Sequence, residues 1–274
     1  MEGAGNDYVY INLFEEEVID PKRLAIEMSH RHFGVGSDGL ILIAPSQLAD
    51  VKMVMFNSDG SKSEMCGNGI RCVGKYSWEH KLVSDPVITV ETGDGIKTLR
   101  LSINGSDKVT SVSVEMGEPE LRADKIPSTL EGERIVNQLF DFDGFSLKGT
   151  LVSMGNPHFI TYVNDIKSVP IEKWGRVIEH HHLFPNRINV EFVQIVSRDE
   201  VIQRTWERGS GETWACGTGA SAVCVAGILT GETNATICNH LTGGDLKLTW
   251  KGVGHQVIKE GPAREVFTGT WILN

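Results

Sequence analysis

Nowhere in the 274-residue chain does an apolar run approach the roughly 20 residues that a membrane-spanning helix needs. No Lys/Arg-dense stretch offers a nucleic acid a footing, and 26 Lys and Arg against 36 Asp and Glu leave a net charge of −10. Polyanionic partners are therefore disfavoured. The start, Met1 to Asp7, is acidic and glycine-rich and does not read as a signal peptide. Cysteine is scarce and odd in number, five in all, with no C-x-x-C pair and no disulfide-framework spacing. The expectation is free thiols in a reducing, cytoplasmic compartment and no metal site. Signatures of nucleotide and serine-hydrolase chemistry are missing as well: there is no phosphate loop and no G-x-S-x-G elbow. The literal G-x-G-x-x-G at Gly34 to Gly39 follows a helix and leads into a strand, the reverse of a dinucleotide site.

What remains is an ordinary globular composition, 40% hydrophobic and 23% charged, carrying an internal repeat. Met65-Cys66-Gly67-Asn68-Gly69 and Ala215-Cys216-Gly217-Thr218-Gly219 stand 150 positions apart. The same offset pairs Gly5-Asn6 with Gly155-Asn156, and Lys22 to Phe33 with Glu172 to Leu183. A fixed offset over most of the chain predicts two like-folded halves.

Asp20-Pro21 opens a helix that runs to Phe33 and stops at Gly34. Strands are expected over 40–44 and 51–56, a helix over 67–78, and strands over 87–90, 97–103 and 109–116. In the second half, strands are expected at 147–153, 158–163, 188–197 and 202–207, with a helix at 171–182. A fully buried helix at 217–229 follows, and then strands at 235–238, 245–250, 256–260 and 265–272. This pattern predicts an α+β fold of two pseudo-symmetric domains, each a sandwich- or barrel-like unit around a buried helix. The expected N-terminal domain covers 1–116, with a closing strand at about 262–274 returning to it, and the C-terminal domain covers 117–261.

A cysteine immediately before a helix gains from the unpaired N–H groups and positive end of the first turn. Those amides also suit a carboxylate, and Gly67, Gly69, Gly217 and Gly219 let a ligand approach them. One thiol from each half, in a shared cleft, would place an amino acid's α-carbon between Cys66 and Cys216. The plainer alternative is buried cysteines beside glycine turns, but the repetition at constant offset weighs against it. Cys72 and Cys224 read as apolar filler. His180, His181 and His182 point in different directions on a helix and read as a solvated helix end. His158 and Glu207 lie near the thiols in the repeat and could tune their proton affinity, or could simply be hydrogen-bonded loop residues.

The chain closely resembles diaminopimelate epimerases. The likeness is carried by Gly3 to Tyr8, Gly34 to Gly39, Phe56 to Ser61, Met65 to Cys72, Ser153 to His158, Phe184 to Asn189 and Glu207 to Gly219. It implies cofactor-independent interconversion of LL- and meso-2,6-diaminopimelate, in lysine and peptidoglycan biosynthesis, by an enzyme that is often a homodimer. By motif, Cys66 and Cys216 become the paired base and acid, modulated by His158 and Glu207. Asn6, Asn57, Gly67, Asn68, Asn156, Asn189, Glu207, Arg208, Gly217 and Thr218 become substrate contacts. Two departures stand out. Gly39 occupies a position where some members carry a substrate-contacting Gln. The chain also starts at the first motif, where members have a short strand before it, so the expectation is a missing edge strand and lower stability. Two other readings share much of this evidence: a proline or hydroxyproline racemase-type enzyme, and an amino-acid-binding protein without turnover.

Overall fold

The computed structural model describes residues 1–272, and the chain divides into two units: Met1–Val114 with the segment from Gly261 onward, and Glu115–Glu260. The strands of the first unit are β1 (Glu2–Gly3), β2 (Asn6–Asp7), β3 (Val9–Asn12), β4 (Gly39–Ala44), β5 (Val51–Asn57), β6 (Lys62–Ser63), β7 (Val87–Thr92), β8 (Gly95–Ile103) and β9 (Val109–Glu115). Its helices are α1 (Pro21–Ser29) and α2 (Gly69–Glu79). The second unit contains β10 (Gln138–Phe142), β11 (Phe145–Ser153), β12 (Pro157–Tyr162), β13 (Asn189–Ser197), β14 (Glu200–Glu207), β15 (Gly211–Thr213), β16 (Thr236–Leu241), β17 (Gly244–Thr249) and β18 (Ile258–Gly261). Helices α3 (Ile171–Glu179) and α4 (Gly217–Thr230) complete it.

The repeat is a repeat of topology. Neighbours in the first unit run β3-β4-β5-β7-β8-β9, and in the second β12-β13-β14-β16-β17-β18. Strand directions agree as well: β3–β4 and β5–β7 are parallel, as are β12–β13 and β14–β16. A short strand, β6 or β15, flanks the third position of each. The second unit adds β10 and β11 beyond β12.

Each unit has a strand buried on both faces. On β4, Leu40 and Leu42 pack against Leu24, Ala25 and Met28 of α1, while Ile41 faces the α2 side. On β13, Val190 and Phe192 join Ile171 and Ile178 of α3 in an aromatic-rich core with Phe140, Phe142 and Phe159. The opposite face of β13 carries Glu191 towards α4. Helix α4 is built from small and apolar residues and is buried from Gly219 to Gly227. It touches β11, β12 and β13 as well as β16 and β17, strands from both sides of one sheet, so the sheet curls around it.

Helix α1 begins as its sequence dictates: the Asp20 carboxylate accepts the Arg23 N–H at 3.0 Å and Pro21 occupies the first turn. It stops at Ser29, short of Phe33, because the His30 ring nitrogen Nδ1 accepts the N–H groups of His32 and Phe33, both at 3.2 Å. Likewise α3 ends at Glu179, and His180 to His182 lie beyond it. The expected strand at 265–272 does not form. Among the described residues only Arg264 pairs, with Glu2; the residues that follow join no strand ladder, Val266 and Phe267 are exposed, and Trp271 packs against the core of β3, β4 and β5. Leu273 and Asn274 lie outside the described residues. All five cysteines are free, and no helix among the described residues is long and apolar enough to cross a membrane.

Candidate active site

Cys66 stands one turn ahead of α2. Its Sγ accepts the Gly69 N–H at 3.2 Å and donates to Asn6 Oδ1 at 3.1 Å. Asn6 is held for this by Asp38, whose Oδ2 accepts the Asn6 side-chain amide at 2.7 Å. A fully buried guanidinium fixes the loop between thiol and helix: Arg71 Nη1 donates to Gly67 O at 3.1 Å and to Asn68 Oδ1 at 3.0 Å, and Nε donates to Pro262 O at 3.0 Å. Asn57 lies on the same unit and donates to Ser61 Oγ at 2.9 Å. Gly39 has no room for a side chain, since a Cβ there would lie 2.1 Å from the Phe56 carbonyl oxygen.

Cys216 repeats the arrangement as the N-cap of α4, accepting the Gly219 N–H at 3.4 Å, with Thr218 Oγ1 also 3.4 Å from its sulfur. Among the described residues, no protein group takes the N–H of Gly217 or Thr218. These donors, at the positive end of a 14-residue helix, fit a carboxylate.

The environments of the two thiols differ. Behind α4 lies a chain of buried polar groups centred on Glu191, which is fully buried. Its Oε1 accepts His158 Nδ1–H at 2.8 Å, and its Oε2 accepts Gln203 Nε2 and Thr205 Oγ1, both at 2.6 Å. Gln203 Oε1 in turn accepts the Asn239 amide. The far nitrogen of His158 meets Asn156 Oδ1 at 3.1 Å, so Glu191 sets the ring that orients Asn156. At the repeat-related positions the first unit has Tyr8, Ile41, Met53, Met55 and Val90. The network thus belongs to one half only. Gly219 is packed onto it: a Cβ there would sit 2.3 Å from Glu191 Oε1.

Burial pushes the Cys216 thiol well up from its ordinary value, and the carboxylates of Glu207 and Glu191 push it further. Burial likewise raises Glu207, whose side chain accepts the Thr213 hydroxyl. A carboxylate with raised proton affinity beside a thiol can hold the proton that the thiol gives up.

Asn189 is buried and spent inside the protein. Its amide donates to Pro157 O at 2.9 Å and its Oδ1 accepts the Arg208 N–H at 2.9 Å, so it locks the loop carrying Glu207 and Arg208. Arg208 itself is exposed, with Nη1 on Asn186 O at 3.1 Å. Glu179 braces the same loop, accepting Trp206 Nε1 at 2.7 Å and Gly209 N–H at 2.9 Å. Glu191, Arg71 and Glu179 are absent from the expected site. Their signal in the sequence is a charge inside or at the end of an apolar run, as in Val190-Glu191-Phe192.

The chain resembles known proteins in sequence and in fold. The sequence model described as diaminopimelate epimerase matches residues 1–122 and 150–266. The diaminopimelate epimerase of Acetivibrio thermocellus is 50% identical over 274 residues, covering 100% of this chain and 98% of the relative. That of Agathobacter rectalis is 49% identical, covering 98% and 96%. Among solved structures, a PhzF-family phenazine biosynthesis protein of Bacillus anthracis superposes with a TM-score of 0.66 at 17% identity, covering 96% of this chain and 92% of that one. A hydroxyproline epimerase of Agrobacterium vitis gives 0.63 at 14% identity, covering 95% and 86%. At those identities the likeness is one of fold. With a match across nearly its whole length and half its residues shared with full-length relatives, the chain belongs to the diaminopimelate epimerase family.

Proposed function

We propose that the chain interconverts LL- and meso-2,6-diaminopimelate by acid–base chemistry between Cys66 and Cys216, with no cofactor in the reaction. The observation that carries this reading is the duplicated thiol: each sulfur stands at the start of a helix and accepts a first-turn glycine N–H. Inverting an α-carbon requires one group to take a proton from one face and another to deliver a proton to the opposite face. A duplicated fold supplies two such groups of matched chemistry.

An α-hydrogen is far less acidic than a thiol, so the carbanion's charge must be stabilised. The N–H groups of Gly217 and Thr218, and those of Gly67 and Asn68 in the other unit, are the donors proposed for the α-carboxylate. Preorganised amides at helix starts stabilise developing charge without reorganising. Glu207 takes and returns the Cys216 proton, and His158, set by Glu191, holds Asn156 in place. Asn6 fixes the Cys66 sulfur. Asn57, Asn156 and Arg208 contact the rest of the substrate, the guanidinium being suited to a distal carboxylate, while Asn189 holds the loop that presents Arg208. On the family resemblance we also infer a cytoplasmic homodimer.

Deuterium wash-in separates the readings. In deuterated water the protein is expected to label the α-carbon of LL-diaminopimelate and to leave proline and 4-hydroxyproline unlabelled. Label in proline would move the assignment to a racemase of cyclic amino acids. Saturable binding with no label would make the chain a binding protein.

A further inference from the structure

The β16–β17 hairpin carries a cluster of ligand-type side chains on its outward face. Alternation along β16 turns Ile237, Asn239 and Leu241 inward and leaves Cys238 and His240 partly exposed. Register sets His240 opposite Asp245 on β17, and Cys238 beside Glu200 on β14. The donor atoms of Cys238, His240 and Asp245 all lie within 4.8 Å of one another. His240 Nδ1 is 2.7 Å from Asp245 Oδ1, and its Nε2 is 2.9 Å from Glu200 Oε1.

We propose that Cys238, His240 and Asp245 form a binding site for a borderline-soft divalent cation, of which Zn2+ is the type, with Glu200 steering the imidazole from its second nitrogen. The donor set decides the class. A thiolate, an imidazole and a carboxylate together suit zinc, whereas calcium and magnesium take oxygen alone. Tetrahedral zinc bonds of about 2.0–2.3 Å set ligand atoms about 3.3–3.7 Å apart, so the imidazole and the Asp245 carboxylate, now 2.7 Å apart, would open slightly around the ion, a shift within side-chain reach. An imidazole that ligates through one nitrogen and meets a carboxylate at the other is the usual outer-shell pattern of zinc sites. Three protein ligands leave a fourth position for water or a further ligand. The donors sit on paired strands, which fix their backbone spacing. Cys-x-His followed five residues later by Asp is no zinc motif in sequence; only the hairpin register unites the three. The site shares no residue with the proposed reaction.

The test uses the full chain with Cys66→Ser and Cys216→Ser, stripped with a chelator. Cys72 and Cys224 are fully buried, so Cys238 is then the accessible thiol. Titration with Zn2+ against a chromophoric chelator is expected to give one equivalent bound. Co2+ in its place is expected to show a thiolate-to-metal charge-transfer band. Cys238→Ser should abolish that band. Cys238→Ser, His240→Gln and Asp245→Asn should each weaken Zn2+ binding by at least about tenfold, and Glu200→Gln by about tenfold. Asp245 is exposed, so its variant puts folding least at risk. Absence of saturable binding, or an affinity unchanged in any of the three ligand variants, overturns the proposal.

Discussion

Glu191 occupies the position that Ile41 fills in the first unit, and the substitution of a carboxylate for an isoleucine makes the two thiols chemically unequal. A buried carboxylate is costly unless its acceptor sites are filled, and here an imidazole, an amide and a hydroxyl fill them. Replacing Glu191 with Gln keeps the shape and removes the charge. Turnover is expected to fall about tenfold or more, and the limb of the pH–rate profile that reports Cys216 should move to lower pH, since one of the anions raising that thiol is gone. A purely structural role would leave that limb in place. Glu207 makes a second case. Burial raises its proton affinity above the ordinary 4.5, so its contribution to stability is fully present below that value and is lost as pH rises through the folded-state value. Glu207→Gln is therefore expected to raise the melting temperature at neutral pH, by about 2–4 °C per kcal/mol regained. The gain should vanish near pH 4.5, while activity drops. A lower Tm at neutral pH would contradict this reading. These carboxylates were unequally legible: Glu207 stands in a conspicuous motif beside Cys216, whereas the role of Glu191 depends on β13 pairing with β14 and facing α4.

At the scale of elements, the parts with local signals were the readable ones. Asp20-Pro21 announces α1, the glycine-flanked cysteines announce α2 and α4, the apolar run of Val51 to Phe56 announces β5, and the alternation in β8 follows the pleat. Elements whose stability comes from distant partners were missed or misplaced. Strand β3 is four residues long and exists because β4 lies parallel beside it. Strand β10 exposes Leu139 and is held by Phe140 and Phe142 in the second core. The run from Glu265 to Ile272 has strand-forming residues but, among the described residues, pairs with no strand, and Trp271 packs by its side chain instead. Helix α4 joins element to site, because Gly219 in its first turn packs directly against Glu191 of β13. Gly219→Ala is expected to destabilise the protein by about 1–3 kcal/mol through overpacking and to lower turnover by displacing the Cys216 turn. Urea unfolding with the wild-type midpoint would show that the helix can shift without cost.

For the molecule as a whole, the duplication is what made a 274-residue chain readable. One offset predicted two units, and the units do share strand order and strand direction. Besides the added strands β10 and β11, the units diverge in what each does with its buried face: apolar side chains of β4 and β5 on one side, a polar network on β13 and β14 on the other. Duplication also explains why two thiols of like geometry exist, and it makes their joint necessity testable. The decisive measurement is epimerisation of LL-diaminopimelate by Cys66→Ser and by Cys216→Ser, each checked for folding by circular dichroism. Turnover should fall by about 10²–10⁴ in each variant separately. Near-wild-type turnover in either folded variant would contradict a reaction shared between the two sulfurs.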